Sequence, residues 1–263
     1  QAPVPAAEAP ELARAGFGLR AVPKSRTYFI EFNTQRPPFH DPRVRRALNL
    51  ATDVEGMLRS VYRGIGLPVP TIVSPDTVGF HHELEPIGYN IAEARRLLQE
   101  AGYPHGFAFE LDVVPHRAAE VRAYAAMWRE IGVEAHLRVW PDWQTLRDAL
   151  LKGTRIAWTA EWDNTSRDPA SVLGAKAGAG GTANYGGYDH PMVGRLLEQA
   201  ARAHDPDHRL DLFRAVQAIL LDDAAFLFGY VEEEVIAYRP RAGDYVAALY
   251  GGRKIDFANA GGF

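Results

Sequence analysis

The segment from Trp162 to Pro169, WDNTSRDP, contains residue types suited to holding a small polar molecule. It follows a predicted strand and enters a predicted helix, and free backbone amides at a helix start favour anions. The ring of Trp162 offers a large contact area at low entropic cost, and its face can accept a cation. Asp163 is either a ligand contact or a solvated turn residue, and Asp168 is placed to cap the helix. The segment predicts a binding loop.

Signatures of catalysis and of metal binding are missing from the sequence. It has no GxSxG, P-loop or Rossmann motif, and the GAGG at 178–181 lacks a preceding strand. There is no cysteine, and the nine histidines show neither HxH nor HExxH spacing. The chain is therefore expected not to be an enzyme and to have neither a metal site nor a cofactor.

The composition narrows the possible class of protein further. The 263 residues are 47% apolar with a net charge of -4, which allows one large or two modest domains and gives no basic surface for nucleic acid. No apolar run approaches the ~20 residues that a membrane span needs. The Ala- and Pro-rich head, residues 1–25, is predicted to be a leader or linker, and no signal peptide is visible.

Hydrophobic periodicity predicts strands that alternate with helices. Asp41 and Asn90 stand at N-cap positions before two of these helices. The predicted strands cover residues 27–32, 107–114, 133–139, 155–160 and 226–237. The predicted helices cover residues 42–62, 90–101, 118–130, 142–153, 191–203 and 206–222. This alternation favours an α/β lobe with a mixed sheet flanked by helices.

Several strings resemble, in the same order, those of bacterial extracellular solute-binding proteins of family 5, the binding components of peptide, dipeptide and nickel importers. They include PFHDPRVRRALNLATD at 38–53, YNIAEARRLLQEAGYPHGF at 89–107, NYGGYDHPMVGRLL at 184–197 and RLDLFRAVQAILLDDAAFLFGY at 209–230. The resemblance implies a periplasmic-binding-protein-like type II lobe. It also implies the substrate-binding component of an ABC importer, periplasmic or extracytoplasmic, for a peptide or another small polar solute.

Family members are about twice as long as this chain, so the resemblance implies a C-terminal lobe without its N-terminal lobe. Residues 26–236 would form the ligand-binding lobe, and residues 237–263 a tail that returns to the missing lobe. Expected partners are that lobe, the membrane subunits of the importer and a small-molecule or short-peptide ligand, with no nucleic acid. The alternative is the ligand-sensing module of a transcription regulator.

The resemblance also implies the ligand contacts. Peptide binders of the family hold the peptide's amino group with an Asp four residues before the closing proline of the loop, where this chain has Thr165. Either Asp163 takes that role or the ligand has no free amine. Some family members grip the ligand's carboxylate with an arginine from the region of Arg117, which suits the planar fork of that side chain. Here Arg117 or Arg167 would take that role, or both are solvated. The full set of predicted contacts is His116, Arg117, Trp162, Asp163, Asn164, Thr165, Arg167, Asn184, Tyr185 and Tyr230.

Overall fold

The computed structural model describes residues 2–5, 8–239 and 252–255, which form eight strands and nine α-helices. The strands are β1 (Ala2–Val4), β2 (Gly18–Phe32), β3 (Leu67–Pro68), β4 (Phe107–Val113), β5 (Val133–Val139), β6 (Ala157–Asp163), β7 (Phe226–Tyr238) and β8 (Arg253–Lys254). The helices are α1 (Ala9–Arg14), α2 (Pro42–Leu50), α3 (Val54–Tyr62), α4 (Ile91–Glu100), α5 (Ala118–Trp128), α6 (Trp143–Leu150), α7 (Pro169–Ala177), α8 (Pro191–Arg202) and α9 (Pro206–Asp222). None of the described helices has the length and apolar character needed to cross a bilayer.

All the described strands join one mixed sheet, as the residue pattern predicts. Its main path runs β1-β7-β2-β6-β4-β5, with β3 paired to β7 and β8 paired to β2. Strand β4 is parallel to β5 and β6, and the other pairs are antiparallel. The parallel pairs place the carboxyl ends of β4, β5 and β6 at the same edge.

Helices cover both faces of the sheet, because side chains alternate along the central strands. In β2, Ile30 and Phe32 pack into one apolar cluster with α2, α3, α4 and α5. Phe29, on the opposite face, packs into a second cluster with α6, α7, α8 and α9. The result is a three-layer α/β/α arrangement, which confirms the predicted fold class.

Side-chain caps fix the starts of the helices where the sequence predicts them. The Asp41 carboxylate accepts the backbone N–H of Arg43 at 2.9 Å, and Asn90 accepts that of Glu93 at 3.0 Å. The predicted helix 42–62 is two helices, because Asp53 starts a second one by accepting the N–H of Gly56 at 2.8 Å. A single long helix was therefore the wrong interpretation.

The predicted linker at residues 1–25 contributes to the sheet. Residues 18–25 form the first part of β2 and pair with β7, with Leu19 and Ala21 buried. Pro23 and Lys24 hide the strand pattern here, and the stabilising partner is more than 200 residues away in sequence. Of the predicted tail at 237–263, residues 237–239 and 252–255 are described and the others lie outside the described residues.

Candidate ligand-binding site

The carboxyl ends of β4 and β6 point in the same direction, because the two strands are parallel neighbours. Asp112 near the end of β4 pairs with Trp158 near the start of β6, so β6 extends beyond the point where β4 ends. In open α/β sheets, ligands bind in the crevice outside such strand ends. His116 follows β4, and Trp162 and Asp163 end β6. Strand β2 runs antiparallel to β6 and places Arg26 directly opposite Asp163. The sheet thus brings polar residues from three strands to one place.

A cavity of about 350 Å³ opens there, within the size range of small-molecule sites. We call it the tryptophan cavity. Its lining consists of Arg26, Val114, His116, Trp143, Thr159, Glu161, Trp162, Asp163, Lys176, Ala183 and Tyr185. Four of the ten predicted contacts, namely His116, Trp162, Asp163 and Tyr185, belong to this lining.

Three aromatic side chains form much of the wall, and hydrogen bonds orient two of them. The Trp162 indole N–H donates to Ser171 Oγ at 3.3 Å, and Arg147 Nε donates to Tyr185 Oη at 3.1 Å. Tyr185 lies beside Trp143, with 6.4 Å between their ring centroids. The wall can therefore offer ring faces to a ligand with little loss of side-chain entropy.

Ionisable groups at the mouth of the cavity are paired with one another. His116 Nε2 lies 2.8 Å from Glu161 Oε2. Asp163 accepts the Ser25 hydroxyl at 2.7 Å and an Arg26 guanidinium N–H at 3.1 Å. The hydroxyl of Ser25, followed by the charge of Arg26, holds the pKa of Asp163 below its usual value. Asp163 is therefore a carboxylate with two partners within the chain.

Lys176 is a buried part of the lining that sequence reasoning missed. Its ammonium bonds Glu31, and the Trp158 indole N–H donates to the other Glu31 oxygen at 3.1 Å. Burial raises the pKa of Glu31 although the Lys176 charge opposes this effect. The sequence contains a signal for a buried lysine, since Lys176 is the one charged residue in the α7 sequence PASVLGAKA. Such a residue on an apolar helix needs a buried partner.

A second cavity of about 360 Å³ adjoins the first, and His116 lines both. We call it the tyrosine cavity. Its lining consists of Tyr28, Val61, Tyr62, Arg63, Ile65, His116, Arg117, Tyr230, Glu232 and Glu233. The rings of Tyr28 and Tyr230 stack with 4.9 Å between centroids. Sequence reasoning found Tyr230 and missed its two tyrosine neighbours, because they lie far from it in sequence.

The predicted carboxylate grip, Arg117, is buried at the base of the tyrosine cavity. It is 2% exposed, pairs with Glu120 and donates to the Ala160 carbonyl at 2.8 Å. Glu120 also accepts the hydroxyls of Tyr230 at 2.6 Å and Tyr62 at 3.0 Å. Burial, followed by the charge of Glu120, raises the pKa of Tyr62 to about 12. In this geometry Arg117 supports the cavity from below, and its contact with a ligand stays a prediction.

Four other predicted contacts lie outside both linings. The Asn164 amide donates to the Ser25 carbonyl at 3.0 Å, and the Asn184 amide to the Tyr188 carbonyl at 2.7 Å. Thr165 is exposed, and Arg167 lies 3.7 Å from an Asp76 oxygen. Asn164 fixes the chain directly after β6, which carries Trp162, and Asn184 fixes the loop that carries Tyr185. Direct ligand contact by the four remains untested.

The arrangement is suited to holding a molecule by contact and hydrogen bonding. Both cavities are open to solvent, share His116 and have aromatic walls. Among the residues that the structure describes, no three His, Asp or Glu side chains are grouped to hold a metal ion.

The sequence model for bacterial extracellular solute-binding proteins, family 5 Middle, matches residues 2–184 of this chain. The chain is 30% identical over 253 residues to the probable deoxycholate-binding periplasmic protein YgiS of Escherichia coli, covering 92% of this chain and 47% of that protein. It is 27% identical over 234 residues to heme-binding protein A of Haemophilus influenzae, covering 85% of this chain and 42% of that protein.

Solved structures show the same fold. The periplasmic binding protein DppA of Helicobacter pylori, in complex with the peptide STSA, superposes with a TM-score of 0.79 at 24% identity. The match covers 90% of this chain and 48% of that one. The chain thus spans about half the length of the relatives it matches. With the family match extending over residues 2–184, the chain belongs to the bacterial extracellular solute-binding proteins of family 5.

Proposed function

We propose that this chain is one ligand-binding lobe of the substrate-binding component of an ABC importer, working outside the cytoplasm. The observation that carries the proposal is the tryptophan cavity at the carboxyl ends of β4 and β6. It lies where α/β sheets bind ligands, in a chain whose family consists of solute-binding proteins. The ligand would be a short peptide or another small solute.

The lobe would act as one wall of a clamp. The cavity opens to solvent at the edge of the sheet, so its residues contact a ligand from one side. His116, Trp162, Asp163 and Tyr185 are the proposed contacts there. A second lobe of the same protein would close over the ligand, and the closed form would engage the membrane subunits of the importer. Residues 26–236 would form most of the lobe, to whose sheet the first part of β2 and the short strand β8 also belong. The remainder of the 237–263 segment would return to its partner.

Because a single lobe contacts the ligand from one side, we expect this chain alone to bind weakly. A micromolar ligand of the two-lobe protein is bound with about -8 kcal/mol, and a single wall that supplies half of this leaves a Kd of about 1 mM. Ligand-observed NMR with the purified chain measures binding in this range. The ligands to compare are trialanine, glutathione and deoxycholate.

Two matched variants each remove one aromatic side chain, the first from the tryptophan cavity and the second from a cavity elsewhere in the fold. Trp162→Ala removes part of the proposed wall. Tyr89→Ala removes a half-exposed ring from a cavity that Asn49, Asp53 and Phe228 line elsewhere in the fold. We expect millimolar binding that Trp162→Ala abolishes and Tyr89→Ala leaves unchanged. Submicromolar binding by the chain alone, or binding that only Tyr89→Ala weakens, would contradict the proposal.

A further inference from the structure

The charged groups at the mouth of the tryptophan cavity form ion pairs with one another. Arg26 lies 3.1 Å from an oxygen of Asp163 and 3.8 Å from one of Glu161. Glu161 in turn lies 2.8 Å from His116. A ligand ammonium or carboxylate would have to displace one of these partners to gain a charged contact, and it would lose its own hydration on entry.

The aromatic wall already faces a cation. The Lys176 ammonium lies 5.7 Å from the ring centroid of Trp162 and 5.6 Å from that of Tyr185. Both distances are within the range of a cation–π contact. Its positive charge is balanced from below by Glu31. A ligand ammonium directed at the same rings would approach a like charge, and a ligand carboxylate would have to compete with Glu31 for Lys176, whereas a neutral ring meets neither penalty.

The Asp163 carboxylate, which lines the cavity, is also engaged. Asp163 accepts hydrogen bonds from Ser25 at 2.7 Å and from Arg26 at 3.1 Å. The cross-strand register of β2 and β6 places Arg26 opposite Asp163, so this pairing is built into the sheet.

From this geometry we propose that the tryptophan cavity receives an uncharged, ring-bearing part of the ligand and discriminates against a free α-ammonium or a free carboxylate there. The inference rests on the proposed binding function and names the substrate class. Three aromatic walls and a volume of about 350 Å³ suit a group of the size of a benzyl side chain with one neutral amide. Any charged end of the ligand would lie outside this cavity.

Three probes that share the phenylalanine ring and differ in which end is capped, and so in charge, test the inference on the full chain. N-acetylphenylalaninamide is neutral, phenylalaninamide carries an ammonium, and N-acetylphenylalanine carries a carboxylate. We expect the neutral probe to bind at least about tenfold more tightly than either charged one, because a charge that loses water without gaining a partner is penalised. Binding is measured by NMR titration of the backbone amides near Trp162.

Two results would overturn the inference, and they are distinguishable. If either charged probe binds at Trp162 as tightly as the neutral probe, the inference fails while the proposed function stands. If none of the three probes perturbs the cavity at millimolar concentration, the inference fails, and the titrations with trialanine, glutathione and deoxycholate decide the proposed function.

A pair of variants tests the role of the internal ion pair. Arg26→Gln removes the charged partner of Asp163 and leaves the Ser25 hydrogen bond in place, so it should strengthen phenylalaninamide binding by up to about fivefold, the value of an exposed ion pair. Lys24→Gln is the matched control, since Lys24 lies on the same strand, is equally exposed at 42% and pairs with Glu232. It should leave all three affinities unchanged. Unchanged or weaker ammonium binding in Arg26→Gln would overturn the inference.

Discussion

Replacing Glu120 with glutamine tests whether Arg117 supports the cavity or is free to grip a ligand. The two side chains are 0% and 2% exposed, and Arg117 Nε donates to Glu120 Oε1 at 2.6 Å. The second Glu120 oxygen accepts the hydroxyls of Tyr230 and Tyr62. A glutamine amide has one acceptor oxygen, so its NH₂ group must face either the guanidinium or the tyrosine hydroxyls. All of these groups donate hydrogen bonds to Glu120 in the structure.

The expected loss of stability is large. Removing one partner of a buried ion pair leaves the other charge uncompensated and costs about 3–5 kcal/mol. That is a large part of the 5–15 kcal/mol that stabilises a typical folded domain. At an m value of about 3 kcal/mol/M, the urea midpoint should fall by roughly 1 to 1.7 M.

The assay is urea unfolding followed by tryptophan fluorescence and far-UV circular dichroism. Glu93→Gln is the matched control, because Glu93 also pairs with an arginine three residues away but with side chains 37% and 54% exposed. An exposed pair contributes about 0–1 kcal/mol, so the control should shift the midpoint by less than about 0.3 M. Equal shifts for the two variants would refute the reasoning and would leave Arg117 available for a ligand.

Two further variants test how the site's scaffold is held. Asp41→Ala removes an N-cap and should lower the free energy of unfolding by about 1 kcal/mol. Because Arg43 lowers the pKa of Asp41 in the folded protein, this contribution is present above the pKa of Asp41 in the unfolded chain and is lost as the pH falls through the folded-state pKa. The urea midpoints of Asp41→Ala and of the unaltered chain should therefore converge as the pH falls below about 4. A gap that persists at pH 2 would contradict this. Gly106→Ala should destabilise by more than about 1 kcal/mol, because φ is +76° and the new Cβ would lie 1.9 Å from the Gly132 carbonyl oxygen. Gly102→Ala, at φ +88° with open space around the Cβ, should lower the thermal midpoint less; equal losses would contradict the steric argument.

The fold was largely predictable from local patterns. Capping residues such as Asp41 and Asn90 and the alternation of strands with helices predict most elements, because these signals lie within a few neighbouring residues. The first part of β2 was missed, since its hydrogen bonds go to β7, more than 200 residues away. The break at Asp53 was missed because the apolar spacing continues through it.

The site was predictable in part. Trp162, Asp163 and Tyr185 follow strand ends or a glycine-rich loop, where binding residues often lie, and all three line the tryptophan cavity. Lys176 and Arg26 were missed because their positions depend on sheet register and helix packing. The same packing determines the environment of Arg117, whose partner Glu120 lies one helical turn away and whose burial no local pattern shows.

The indole N–H resonances of the chain's five tryptophans offer the most direct test of where a ligand binds. In a titration with N-acetylphenylalaninamide, we expect the signals of Trp143 and Trp162, which line the cavity, to shift with a common Kd of about 1 mM. The signal of Trp128, which is 0% exposed and packs in the apolar cluster on the other face of the sheet, should stay in place. Saturable shifts elsewhere, with Trp143 and Trp162 unmoved, would contradict a binding wall at the carboxyl ends of β4 and β6.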